Sequence, residues 1–205
     1  MSKNKDIRSM LKDTVILFVI TLISGLVLGF VYDLTKEPIR IQKEKAIQKA
    51  CRTVFEQAES FEVLKYEPAV LLADELKEKG VTIGTVFAAL DHSGNQVGYV
   101  VEATSSEGYG GNITLYTGIQ ADGIVNGISI LTIDETPGLG MNAESVLVPQ
   151  FNNVPATIFT YTKSGSTKDS EIDAISGATI TTEAVVNAVN GTVRVVTEDI
   201  MKGGN

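Results

Sequence analysis

The chain has one cysteine, one histidine and no tryptophan among its 205 residues. A lone Cys51 excludes an intrachain disulfide, and with it the small secreted modules that depend on such staples. It equally excludes a cysteine-built zinc site or an iron–sulfur cluster, and the single His92 leaves no histidine cluster, so no metal site is expected. His92 lies in Asp91-His92-Ser93-Gly94-Asn95, a turn composition, and is read as an exposed turn residue. Basic side chains are also short in supply. Formal net charge is −8, and the first 13 residues hold four of the 17 basic and only two of the 25 acidic side chains, leaving net −10 beyond them. From Val81 onward the lysines and arginines are Lys163, Lys168, Arg194 and Lys202 alone. Nucleic-acid binding needs a basic footprint, so that class is set aside.

Charge is absent altogether from Thr14 to Tyr32, a run of 19 residues. That length crosses a bilayer core as a helix. The run exceeds the apolar region of a signal peptide and no small-residue cleavage site follows it, so an uncleaved single-span anchor is expected. The flanks nearly tie in basic residues, with Lys3, Lys5, Arg8 and Lys12 before the span and Lys36, Arg40, Lys43 and Lys45 after it. A short basic leader ordinarily stays in the cytoplasm, which puts the main domain outside. The expected organisation is a cytoplasmic leader over 1–13, a transmembrane helix over 14–32, a helical connector over 33–80 and a main domain over 81–205. Gly25 and Gly29 make a GxxxG spacing, a weak sign of helix packing by itself.

In the connector, Thr35-Lys36-Glu37-Pro38 reads as a helix entry. Ile39, Ala46, Ile47, Ala50, Val54 and Phe55 then form an apolar stripe to about Ala58, with Cys51 beside it as a small buried residue. Residues 60–80 read as irregular and then helical, with Gly80 as the stop. Strand signals follow at 82–90 and 96–103, joined by the turn at His92, and at 113–119 and 124–133, joined by Gln120-Ala121-Asp122-Gly123. Four strands with helices before and after predict an α+β domain with an antiparallel sheet.

Three small-residue loops stand out. The first is Gly108-Tyr109-Gly110-Gly111, the second Glu135-Thr136-Pro137-Gly138-Leu139-Gly140, whose Pro-Gly pair fits a type II turn. The third is Asp173-Ala174-Ile175-Ser176-Gly177-Ala178-Thr179, before an apolar-rich helical pattern reaching Val196. Thr181 or Thr182 would cap that helix, and its start suits a phosphate. Together the loops predict a shaped pocket.

These motifs resemble the FMN-binding domain family. With one N-terminal span, the chain is more closely similar to the RnfG component of Rnf-type electron-transport complexes. The resemblance implies FMN attached through its phosphate to Thr179 by a flavin transferase, with Asp173 in the transferase's recognition sequence. It implies that Ser176, Gly177 and Ala178 let the cofactor approach and that Thr182 binds near the phosphate. Glu135, Thr136, Leu139 and Gly140 would line the ring or ribityl chain, with Gly110 and Gly111 on another side. Many members carry a lysine soon after the second motif, where Met141-Asn142 stands here, so a contact by that lysine is in question. Without tryptophan, Tyr109 or Leu139 would pack against the ring.

What the resemblance implies is a membrane-anchored, extracytoplasmic electron carrier in a complex that couples ferredoxin and NAD chemistry to ion translocation. No G-x-G-x-x-G fingerprint is present, so the chain reads as a redox relay within that complex, not as the site of hydride transfer. Two alternatives remain: a free-standing extracytoplasmic flavoprotein of the same domain family, and an anchored binding domain without a cofactor.

Overall fold

A computed structural model describes the backbone of residues 3–203 and the side chains of residues 10–202. Met1 and Ser2 of the expected leader, and the side chains of its other residues up to Ser9, lie outside that description. By compactness the chain divides into residues 1–45 and 46–205.

Helix α1 runs from Lys3 to Val54. It is long and apolar enough to cross a membrane, with a window of mean hydropathy 2.7. The helix does not start afresh at Thr35-Lys36-Glu37-Pro38, as expected, because Pro38 is accommodated inside it. Proline removes a single backbone donor there, while Arg40 bridges Glu37 and Glu44 one turn to either side. The helix also stops at Val54, short of Ala58.

In the unit 46–205, a six-stranded antiparallel sheet runs in simple sequence order. Its strands are β1 (Ser60–Leu64), β2 (Val81–Leu90), β3 (Gln96–Ser105), β4 (Ile113–Gln120), β5 (Ile124–Thr132) and β6 (Val154–Pro155). β2 to β5 are the four strands expected. β1 corrects the irregular reading of residues 60–69; it pairs with β2 from Ser60 opposite Leu90 to Leu64 opposite Val86. Residues 46–80 therefore supply an edge strand, and also helix α2 (Val70–Glu78), whose Leu72 and Leu76 enter the core.

Each face of the sheet is covered by a helix. On one face Val101, Ala103, Leu115 and Ile119 pack with the buried stripe of α4 (Thr179–Arg194), which includes Val185, Ala188 and Val189. Each fully buried valine there contributes about 1.5 kcal/mol or more. On the other face the last turns of α1, with Ala50, Cys51, Val54 and Phe55, meet Ala89, Val100 and Tyr116. Two strand glycines make this approach possible. A Cβ on Gly118 would stand 2.4 Å from the Val54 carbonyl oxygen, and one on Gly98 would stand 2.6 Å from the Phe55 ring.

After β5 the chain makes the short helix α3 (Ala143–Val146) between 3₁₀ turns, then a parallel pair, β7 (Thr160–Thr162) and β8 (Glu171–Asp173). The buried Asn190 of α4 holds the segment before β7, accepting from the Phe159 N–H at 2.7 Å and donating to its carbonyl at 2.9 Å. The α4 pattern reached Val196 in sequence; in the structure it passes at Val195 into a π-helical stretch to Ile200. His92 is exposed in its turn as expected, with Glu59 at 3.3 Å.

Candidate functional site

The three loops meet at the ends of β3, β5 and β8. Two of them are built on glycine turns. The Leu139 N–H donates to the Thr136 carbonyl at 3.1 Å, and Gly138 has φ 77°, the conformation a type II turn demands after Pro137. Asn142 closes this turn, donating from its side-chain amide to the Gly138 carbonyl at 3.0 Å. In the third loop the Ala178 N–H donates to the Ile175 carbonyl at 3.0 Å across Gly177, also at φ 77°.

Other glycines mark where the loops touch. A Cβ on Gly110 would lie 2.1 Å from the Asp134 carbonyl oxygen; one on Gly140 would lie 2.7 Å from the Thr181 hydroxyl and 2.8 Å from Glu135. At Gly110 the two loop backbones sit in direct contact, and at Gly140 the backbone packs against the Thr181 and Glu135 side chains. Glu135, only 7% exposed, ties the first loop to the second: its Oε1 accepts from the Tyr109 N–H at 2.8 Å.

Between the loops opens a cleft of about 490 Å³, lined mainly by apolar surface. Tyr109 comes from the first loop, Glu135, Thr136, Leu139 and Gly140 from the second, and Gly177 to Thr181 from the third and the start of α4. Of the residues expected to bind, Glu135, Thr136, Leu139, Gly140, Gly177, Ala178 and Thr179 are thus brought together. Gly110 and Gly111 stand beside the cleft without lining it; Gly110 spends its missing side chain on contact with Asp134, and Tyr109 faces the space instead. Ser176 is exposed in the turn next to Gly177.

Asp173 and Thr182 act behind the cleft. The Asp173 carboxylate accepts from the Ser166 N–H at 2.6 Å, while Gln150 brackets its backbone, accepting from the N–H at 2.7 Å and donating to the carbonyl at 3.2 Å. Thr182, fully buried, accepts from the Ile175 N–H at 3.0 Å and donates to the Ala178 carbonyl at 2.9 Å. Its hydroxyl is used up in bracing the turn. Gln150 carries no signal in the sequence. Thr181 was legible only as a possible cap, yet it lines the cleft.

The start of α4 corrects the capping expectation. The helix begins at Thr179 with Ala178 in the cap position, and among the described residues no side chain caps it. Thr181 and Thr182 are inside the helix, and the Thr182 N–H already donates to Ala178 at 3.1 Å. The N–H groups of Thr179, Ile180 and Thr181 are therefore left at the cleft without a side-chain cap, carrying the partial positive charge of a helix end. The Thr179 hydroxyl, half-buried at the same place, makes no hydrogen bond among the described residues. Among the described residues, Glu135 is the single carboxylate in the lining and no lysine or arginine lines the cleft.

Residues 108–194 match the FMN-binding domain family and residues 1–54 match the RnfG N-terminal region. The chain is 34% identical over 183 residues to the RnfG-type component of the Na(+)-translocating ferredoxin:NAD(+) oxidoreductase complex of Acetobacterium woodii, covering 88% of each chain. The chain belongs to the RnfG family. A second RnfG-family relative, from the proton-translocating ferredoxin:NAD(+) oxidoreductase complex of Clostridium ljungdahlii, is 34% identical, with 96% of this chain and 97% of that one covered. The crystal structure of Shewanella oneidensis NqrC is similar over 67% of this chain and 66% of that one, at 20% identity and a TM-score of 0.44. With one helix among the described residues long and apolar enough to cross a membrane, this RnfG-family chain is a membrane-anchored protein with an FMN-binding domain.

The cleft fits FMN on its own geometry. Its volume falls in the ordinary range for small-molecule sites, roughly 300–1,000 Å³. An apolar wall from Leu139 and Ile180 suits a flat ring, and with no basic side chain in the lining the α4 amides are the groups that suit a phosphate.

Proposed function

We propose that this protein is the membrane-anchored electron-transfer subunit of an Rnf-type complex, with FMN held as a phosphoester on Thr179. Such a complex couples ferredoxin and NAD redox chemistry to ion translocation, and the flavin domain lies on the extracytoplasmic side. The observation that carries the reading is the coincidence of a free hydroxyl and a helix start lacking a side-chain cap at one edge of a cleft of suitable size.

FMN, when bound, supplies reversible one- and two-electron chemistry. The chain's own residues supply placement and field. Thr179 would hold FMN through its hydroxyl oxygen, and the amides of Thr179, Ile180 and Thr181 would stabilise the phosphate charge. Thr182 and Gln150 hold the turn and strand that present Thr179. Asp173, on the exposed side of that strand, belongs to the surface a flavin transferase reads during maturation. Leu139 and Ile180 would exclude water from part of the ring, and Glu135 would hold the Tyr109 loop beside it.

Purification from native membranes, with flavin fluorescence read on a denaturing gel, tests this function. The expected result is a fluorescent band at this chain's mass, co-purifying with multi-span membrane partners. A fluorescent chain isolated alone and active with a soluble acceptor would favour the free-standing flavoprotein. A chain without fluorescence, when co-expressed with a flavin transferase, would leave a cofactor-free binding domain.

A further inference from the structure

The loop 163–170 joins the parallel strands β7 and β8, and residues 163–169 are all exposed. A loop of that composition, Lys-Ser-Gly-Ser-Thr-Lys-Asp-Ser, has no apolar side chain to anchor it. It is instead tied down from β8. Glu171 and Asp173 are two residues apart, hence on one face of that strand, and both bond the loop. The Asp173 carboxylate accepts from the Ser166 N–H at 2.6 Å and from the Ser166 hydroxyl at 3.3 Å. The Glu171 carboxylate accepts from the Thr167 N–H and hydroxyl, each at 2.9 Å. Strand β8 itself does not depend on these side chains. Gln150 brackets the Asp173 backbone, and the Ala174 N–H donates to the Thr162 carbonyl at 2.8 Å. What the Asp173 side chain holds is the loop.

We infer that the loop 163–170 is a docking element for the flavin transferase, outside the attachment motif, and that Asp173 and Glu171 are the positioning residues that fold it. This rests on the FMN reading above and says how Asp173 serves it: through the loop, since both its carboxylate oxygens already accept from Ser166. The placement suits the task. Strand β8 leads from the loop into the turn at Gly177 that presents Thr179. Gly165, at φ 95°, would otherwise leave the loop many conformations, so fixing it beforehand spares that ordering cost when a partner docks. The loop offers hydroxyls and charged groups, so its partner would be a hydrogen-bonding face. Transient interfaces are more polar than permanent ones, and an enzyme that loads the chain and leaves needs the transient kind.

Loading kinetics test this on the full chain, produced without a transferase, purified in detergent and mixed with a purified flavin transferase and its flavin-nucleotide donor. Initial rates of covalent fluorescence, read on denaturing gels over a range of chain concentrations, separate kcat from KM. Asp173→Ala is expected to raise KM several-fold with kcat little changed, because the Gln150 bonds still hold β8 in place. Asp173→Asn keeps an acceptor oxygen for the Ser166 N–H and is expected to stay near wild type. Ser166→Pro removes both donors from an intact Asp173 and is expected to match Asp173→Ala, with the double variant no worse than either. Glu171→Ala, outside the attachment motif, frees the other half of the loop and is expected to raise KM as well. Wild-type KM in Ser166→Pro and Glu171→Ala overturns the inference, as does Asp173→Asn as impaired as Asp173→Ala; the transferase would then read the carboxylate itself. A loss confined to kcat also overturns it, marking Asp173 as a brace of the Thr179 turn. If Ser166→Pro does not fold by circular dichroism, Glu171→Ala decides in the same way. Wild type that takes up no covalent flavin would instead sink the covalent-flavin reading.

Discussion

Replacing Thr182 by valine removes a hydroxyl while keeping nearly the same shape. In the fully buried site that hydroxyl accepts from the Ile175 N–H and donates to the Ala178 carbonyl. The two partners suffer unequally. Ala178 keeps the Thr182 backbone N–H at 3.1 Å, so its carbonyl stays satisfied. Ile175, also buried, is left with an unpaired N–H, at a cost of about 1–3 kcal/mol. A loss near 2 kcal/mol, about the middle of that range, is expected. For a unit of this size that lowers the melting temperature by about 4–8 °C. Circular dichroism of the detergent-solubilised full chain measures it, with Thr182→Ser as the control that keeps both bonds. Flavin loading, assayed well below the melting point, should also slow, because the turn presenting Thr179 loses its brace. Equal melting temperatures and loading rates for Thr182→Val and Thr182→Ser would refute this account of the turn.

Gly110→Ala puts a methyl group against the Asp134 carbonyl and forces the first two loops apart; a loss of about 1–3 kcal/mol is expected by denaturant melting, with weaker flavin retention. Cys51, on the last turns of α1, is buried against the sheet, and burial pushes its thiol up to about 12. Below that pH the native thiol is neutral, so it should resist maleimide at about pH 8 and react once the protein is denatured; rapid native labelling would place the α1 end away from the sheet. Because the folded value is raised, any stability linked to this group is present below the unfolded thiol range and is lost as pH rises through that range towards 12.

The sheet was legible because β2 to β5 are long and carry their own turn chemistry. β1 was not: Val63 is exposed and only Phe61 and Leu64 are part-buried, so its sequence has no alternation to read. β7 and β8 are three residues each, too short for a period to appear. Pro38 misled because one proline resembles a helix start, while a helix lacking a single interior bond looks the same in sequence. At the site, residue types named the loops correctly but not which side chain faces the cleft. Gly110 and Tyr109 are neighbours, and the contact with Asp134 decides between them. Thr181 and Thr182 likewise differ from the cap reading: the helix begins three or four residues earlier than a hydroxyl cap would place it, which turns Thr181 to the cleft and Thr182 inward. Strand glycines 98 and 118 did carry a signal for the docked α1 end, since a glycine inside a strand often marks a close backbone approach.

Intact mass spectrometry of the denatured chain, wild type beside Thr179→Val, both co-expressed with a flavin transferase, addresses the central claim directly. The account predicts wild type heavier than its sequence by one FMN less one water, and Thr179→Val at its bare mass with a native melting curve. The same added mass on folded Thr179→Val would contradict it, moving the attachment to another hydroxyl.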